Sequence, residues 1–64
     1  MFAANVKARR IACGLTQQAM ADAIGRDKET YYRYENGLIA PRLDTALRIA
    51  AVLGVRLSEL LDER

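Results

Sequence analysis

The chain has 64 residues, 52% of them hydrophobic, which favours one small folded domain over a disordered segment. One cysteine and no histidine exclude an internal disulfide and leave no ligand cluster for a structural zinc ion. Residues 1–42 hold seven Lys and Arg against four Asp and Glu, whereas residues 43–64 hold three against four. The net charge of +2 is therefore concentrated in the first two thirds, which favours one basic face, although ordinary solvated charge also fits.

Five helices are predicted from the positions of glycine and proline. Each of the four glycines follows a run of helix-forming residues, where a left-handed residue ends a helix at low cost. Pro41 falls between two such runs, and no stretch shows the strict alternation of a half-buried strand. We therefore predict an all-α, compact five-helix fold as a single domain over residues 1–64. The helices are expected at about 2–13, 16–24, 28–35, 43–53 and 57–62.

The first helix is predicted to carry a charge towards the core. Arg10 lies four residues after Val6 and three before Cys13, which places it on the inward face. Cys13 is expected to be a small buried side chain. Glu35 lies four residues after Tyr31 and so faces inward from the third helix. Because a charge in a small core needs a partner, we expect a structural ion pair between Arg10 and Glu35.

The second and third helices form the most informative stretch. Thr16 and Asp27 are expected to cap them through side-chain oxygens. Ala21 is small and Gly25 ends the second helix, which permits a close crossing and a sharp turn. The apolar residues expected to face the core are Met20, Ile24, Tyr31 and Tyr34. Two short helices joined in this way predict a helix-turn-helix over about residues 16–35.

The last two helices are predicted from their apolar spacing. The fourth is expected to bury a stripe made of Leu43, Ala46, Leu47, Ala50 and Leu53. The fifth is apolar on more than one side. Its Leu57, Leu60 and Leu61 either form the surface of a homodimer or close the core of the monomer, and both alternatives fit the pattern.

Three segments carry a family resemblance: LTQQAMADAIG, YRYENG and PRLDTALRIAAVLGV. On these residues the chain resembles the lambda-repressor-like (Cro/Xre) helix-turn-helix family from Val6 to Leu61. The resemblance implies a DNA-binding protein of bacterial or phage origin, and a bridge between Arg10 and Glu35. The chain departs from the usual family residues at Arg26, Tyr31, Arg42 and Arg56.

In the helix-turn-helix of phage repressors, the second helix of the motif lies in the major groove of double-stranded DNA. The outward residues that would contact bases are Lys28, Glu29, Tyr32 and Arg33. Arg33 suits guanine and Glu29 suits a cytosine amino group, although both also fit an ordinary solvated face. The resemblance adds phosphate contacts, which are expected at Gln17, Asn36 and Arg42. We expect a dimer on a palindrome with half-sites about 34 Å apart.

These features predict a sequence-specific transcriptional regulator that acts as a repressor. The alternative is an antitoxin that binds a protein toxin and its own operator, since both classes share this fold. We expect no enzyme and no cofactor, because histidine, metal clusters, phosphate loops and a nucleophile beside a base are missing from the sequence. Short apolar runs and an N-terminus without a signal-peptide core predict a cytoplasmic protein with no membrane contact.

Overall fold

The computed structural model describes residues 1–62, which form five α-helices and, within that range, no strand. The helices are α1 (Phe2–Ala12), α2 (Gln17–Ile24), α3 (Lys28–Glu35), α4 (Leu43–Leu53) and α5 (Leu57–Leu61). The all-α, five-helix prediction is confirmed. The prediction for Cys13 is wrong: α1 ends before it, and its side chain is exposed because it occupies the C-cap position. None of the helices in residues 1–62 is both long and apolar enough to cross a bilayer.

Local hydrogen bonds set the ends of α2 and α3 where the sequence predicts them. The hydroxyl oxygen of Thr16 accepts from the Ala19 amide at 3.0 Å, and the Asp27 carboxylate accepts from the Thr30 amide at 3.2 Å. Gly25 ends α2 with a φ of 73°, a left-handed conformation that costs least without a Cβ atom. The chain therefore turns within residues 25–27, and α3 leaves this turn at a fixed angle to α2.

All five helices contribute side chains to one core. The predicted inward positions Met20, Ala21, Ile24 and Tyr31 are at most 1% exposed, and Tyr34 is 7% exposed. The other buried members of the cluster are Val6, Ile49, Ala50, Leu53 and Leu60. Burying a large apolar side chain contributes roughly 1.5–3 kcal/mol, so this cluster is the main stabilising feature of the described chain.

The predicted stripe of α4 is wrong at two positions. Leu43 is 68% exposed and Leu47 is 50% exposed, whereas Ile49 is fully buried. The buried residues of α4 are Thr45, Ala46, Ile49, Ala50 and Leu53. Ile49 lies three residues after Ala46 and four before Leu53, so the three share one helix face. The leucines follow a neighbouring apolar stripe, and packing against the rest of the domain decides which stripe is covered.

The three leucines of α5 differ in how far they are buried. Leu60 is fully buried in the core, so its predicted place on a dimer surface is wrong, and the alternative of closing the core is correct for this residue. Leu57 is half-buried against the core. Leu61 is 56% exposed and stays available to a partner. The exposure of the three leucines differs because α5 packs against the core with only one of its faces.

Candidate nucleic-acid interface

A buried carboxylate joins the first three helices behind the exposed face of α3. Glu35 is 4% exposed, and Arg10 donates to both of its oxygens, from Nε at 2.7 Å and from Nη2 at 3.0 Å. The hydroxyl of Tyr31 donates to the same carboxylate at 2.7 Å, and Nε2 of Gln17 donates to it at 3.1 Å. Arg10 Nη1 also donates to the Leu15 carbonyl at 2.7 Å. These bonds tie α1 and the start of α2 to the end of α3.

The charges in this network are set by its geometry. Burial by itself raises the pKa of Glu35, but hydrogen bonds from Arg10, Tyr31 and Gln17 outweigh it and lower that pKa below its ordinary value. Burial, followed by the hydrogen bond to Glu35, raises the pKa of the Tyr31 hydroxyl. The same carboxylate raises the pKa of Arg10. At neutral pH the network therefore consists of one carboxylate, one guanidinium and a neutral phenol.

Acid is expected to weaken the domain through Glu35. Its pKa is lower in the folded state, so its stabilising contribution is complete above the ordinary value of 4.5 and is lost as the pH falls through the lowered pKa. Urea unfolding measured from neutral pH to about pH 3 should show this loss, and the loss should be smaller in Glu35→Gln. An equal loss in the variant would show that other carboxylates cause it.

The opposite face of α3 is exposed. Lys28, Glu29, Tyr32 and Arg33 all point outward, and Tyr32 is 44% exposed. Arg33 Nε donates to the Glu29 carboxylate, one helical turn earlier, at 3.3 Å. The two side chains remain 51% and 65% exposed, and such a pair contributes only about 0.3–0.5 kcal/mol. A ligand that offers two hydrogen bonds to Arg33 can therefore displace the Glu29 carboxylate from it.

The start of α2 borders this face. An open hollow of about 330 Å³ is lined by Gln17, Lys28, Glu29 and Tyr32. The structure thus brings one predicted phosphate-contacting residue next to three predicted base-contacting residues. Gln17 donates one N–H to Glu35, which leaves its second N–H and the backbone amides of Gln17 and Gln18 for a ligand, since the Ala19 amide is bonded to the Thr16 hydroxyl.

The two remaining predicted phosphate contacts lie beyond the end of α3. Asn36 caps the helix, and its Nδ2 donates to the Tyr32 carbonyl at 2.8 Å. Arg42 has an 84% exposed side chain and lies 3.9 Å from the Asp44 carboxylate. Asn36 is therefore held by the helix end, whereas Arg42 has room to reorient.

Comparison with known protein families identifies the family of this domain. The profile of the helix-turn-helix family matches residues 6–60. The chain belongs to the Cro/Xre helix-turn-helix family. The predicted resemblance is confirmed, and the family consists of DNA-binding transcriptional regulators rather than enzymes.

Curated relatives of this helix-turn-helix chain include a phage repressor and two bacterial regulators. The transcriptional repressor RstR of the cryptic phage CTXphi of Vibrio cholerae is 35% identical over 63 residues, which cover 98% of this chain and 57% of RstR. In Bacillus subtilis strain 168, the SPbeta prophage-derived uncharacterized HTH-type regulator YonR is 38% identical, and the uncharacterized HTH-type regulator YqaE is 41% identical. Each alignment spans 61 residues and 95% of this chain, with 56% of YonR and 53% of YqaE. The chain thus spans about half the length of these relatives. No solved structure matches it.

Within this helix-turn-helix, the departures from the usual family residues have local consequences. Neither Arg42 nor Arg56 makes a side-chain capping hydrogen bond at the helix that follows it. At α5 the Glu59 carboxylate accepts from the Arg56 amide at 2.9 Å and satisfies that end of the helix. Arg26 lies exposed in the turn before α3.

Two members of the buried network, Tyr31 and Gln17, are not predicted from the sequence. Tyr31 was expected only as an apolar side chain, although its spacing of four from Glu35 allows its hydroxyl to reach the carboxylate. Gln17 was expected only as a phosphate contact, and nothing in its local sequence indicates the bond to Glu35. That bond depends on the crossing of α2 and α3, which brings together residues 18 positions apart.

Proposed function

We propose that this chain is the DNA-binding domain of a transcriptional repressor and that α3 enters the major groove of a specific duplex. The observation that supports this most is the division of α3 into two faces. Tyr31, Tyr34 and Glu35 fix one face to the body, and the other face presents a phenol, an acid and two cations to solvent. A helix held in this way fits the major groove, which is about 12 Å wide.

Each exposed side chain of α3 suits a particular contact. Arg33 offers two parallel N–H groups to O6 and N7 of guanine. Glu29 either accepts from a cytosine amino group or orients Arg33 through their 3.3 Å hydrogen bond. Tyr32 presents a flat apolar surface to a thymine methyl group, and Lys28 suits a base edge or the backbone. These four residues are proposed to carry sequence preference.

Phosphate contacts are proposed around this helix. The first turn of α2 offers backbone amides beside the second N–H of Gln17, a common arrangement for binding an anion. Asn36 and Arg42 are proposed to meet the backbone beyond the end of α3. Phosphate contacts fix the orientation of the domain but carry no sequence information.

Repression by occlusion requires only that the domain occupies its site. RstR is named a transcriptional repressor, and this chain matches 57% of its length. A helix of eight residues reaches only a few base pairs, so we propose that two copies bind a two-fold symmetric operator in a bacterial cytoplasm. Affinity is then expected to fall steeply with salt, because Lys and Arg side chains displace counterions from phosphates.

The variant Arg33→Ala tests the proposed contact directly. We expect it to lose about 1–3 kcal/mol of binding free energy to the preferred duplex and much less to random duplexes. Arg9→Ala is the matched control, because it removes the same charge from an exposed pair with Glu59 between α1 and α5. Fluorescence anisotropy at fixed salt measures both variants. Equal losses would mean that charge alone, and not α3, determines binding.

A further inference from the structure

Arg26 is an exposed cation between α2 and α3, one residue before the cap of α3. Its backbone is fixed, because its amide donates to the Ala21 carbonyl at 2.9 Å. Its guanidinium forms no ion pair with any residue in the described range 1–62. The acidic residues nearest to it in the sequence, Asp22, Asp27 and Glu29, accept hydrogen bonds from other donors. The charge of Arg26 is therefore available to a ligand.

The fold does not need a charge at position 26. The residue before a helix cap is commonly apolar and packs against the fourth residue of the helix, which in α3 is Tyr31. Tyr31 is fully buried, and its hydroxyl is held by the Glu35 carboxylate at 2.7 Å. The cap of α3 is made by Asp27. The guanidinium of Arg26 thus serves neither the cap nor the buried network.

Arg26 and Gln17 lie at opposite ends of α2. The eight residues of this helix span about 12 Å. The major groove of DNA is also about 12 Å wide, and its two walls are the phosphates of the two strands. In helix-turn-helix complexes the first helix of the motif crosses the backbone, while the start of the second contacts base edges. A helix of this length therefore brings its start to one wall and the turn that follows it towards the other.

We propose that Arg26 is a further phosphate contact, on the strand opposite to the phosphate that Gln17 meets. This inference rests on the proposed function. Gln17 and Arg26 then hold the two strands from the two ends of α2, which fixes the depth and angle of α3 in the groove. A guanidinium suits this position, because it makes two parallel hydrogen bonds to one phosphate.

Two other roles of Arg26 would have different measurable effects. A cation just beyond a helix stabilises the carbonyls of its last turn, so its removal would lower the stability of the domain. A base contact would weaken binding to one sequence only. A phosphate contact weakens binding to all sequences alike and contributes to the salt dependence of the affinity.

The variant Arg26→Val tests the phosphate contact, and Arg48→Val is the matched control. Valine is apolar, as is common before a helix cap, so we expect Arg26→Val to melt no lower than the wild-type chain. Arg48 is an exposed arginine on α4, outside the helix-turn-helix, and it also forms no ion pair with residues 1–62. Fluorescence anisotropy at several salt concentrations measures binding to the preferred duplex and to a random-sequence duplex of equal length.

We expect Arg26→Val to lose about tenfold in affinity for both duplexes, and its salt slope to fall by about one. Arg48→Val should change either affinity less than about threefold. Single methylphosphonate replacements in the preferred duplex then locate the contact, because each removes the charge of one phosphate. Arg26→Val should become insensitive to a replacement on one strand, and Gln17→Ala to a replacement on the other strand.

Three results would overturn this contact. They are unchanged affinity of Arg26→Val for both duplexes, a loss confined to the preferred duplex, and insensitivity of Arg26→Val and Gln17→Ala to phosphates on the same strand. A lower melting temperature with unchanged affinity would assign Arg26 to the end of α2 instead. If the wild-type chain binds no duplex, the proposed function itself fails. If Arg33→Ala loses sequence preference and Arg26→Val binds as the wild-type chain does, only the Arg26 contact fails.

Discussion

Glu35→Ala is expected to lower the free energy of unfolding by about 3–5 kcal/mol, because it leaves a buried guanidinium without its counter-charge. The side chain of Arg10 is only 13% exposed and that of Glu35 only 1% exposed, so water replaces the lost carboxylate only in part. The phenol of Tyr31 and the amide of Gln17 lose an acceptor at the same time. A chain of 64 residues has a total stability of roughly 3–10 kcal/mol, so this loss removes a large part of it and brings the variant much closer to unfolding.

Glu29→Ala is the matched control for this measurement. It also removes a glutamate from α3 that is paired with an arginine, but its pair with Arg33 is exposed at 51% and 65%. We expect a change below about 1 kcal/mol there. Urea unfolding followed by circular dichroism measures both, with Glu35→Gln as a milder variant. Similar losses in Glu35→Ala and Glu29→Ala would contradict a supporting role for the buried network.

Leu60→Ala is expected to cost about 2–5 kcal/mol, because it removes a fully buried side chain and leaves a cavity between α5 and the rest of the core. Leu61→Ala, one residue later, removes the same atoms from a side chain that is 56% exposed. We expect a loss within about 0.5 kcal/mol in the monomer for that neighbour.

Thermal unfolding at low protein concentration separates these two leucines, because it reports on the monomer. The core assignment predicts a much lower melting temperature for Leu60→Ala and little change for Leu61→Ala. Equal changes, or a loss that appears only at concentrations where the chain associates, would mean that Leu60 lies at a surface instead.

Much of the fold can be predicted because local signals agree with each other. Thr16 and Asp27 are followed by helices that they do cap, and Gly25 ends α2 in the expected left-handed conformation. The spacing of Arg10 and Glu35 places both on inward faces, where the structure has them 2.7 Å apart. Each of these predictions depends on residues within a few positions of one another, or on a charge that needs a partner.

The predictions are wrong where the local sequence fits two arrangements equally well and tertiary packing selects one of them. Helix α4 carries two neighbouring apolar stripes, and its periodicity does not tell which one faces α2, so Leu47 was expected in the core in place of Ile49. An apolar groove of about 610 Å³, which opens beyond the C-terminal end of α3, could not be predicted for a similar reason. Its lining joins Met1, Leu38 and Leu61, which no local pattern connects.

Base reading by α3 is tested by selection of bound sequences from a random duplex library, carried out with the wild-type chain and with Arg33→Ala. We expect a two-fold symmetric site with half-sites one turn apart, about 34 Å, and a guanine in each half-site whose enrichment disappears in the variant. Base reading by α3 is contradicted if no sequence is enriched, or if the same bases are enriched with and without the Arg33 side chain.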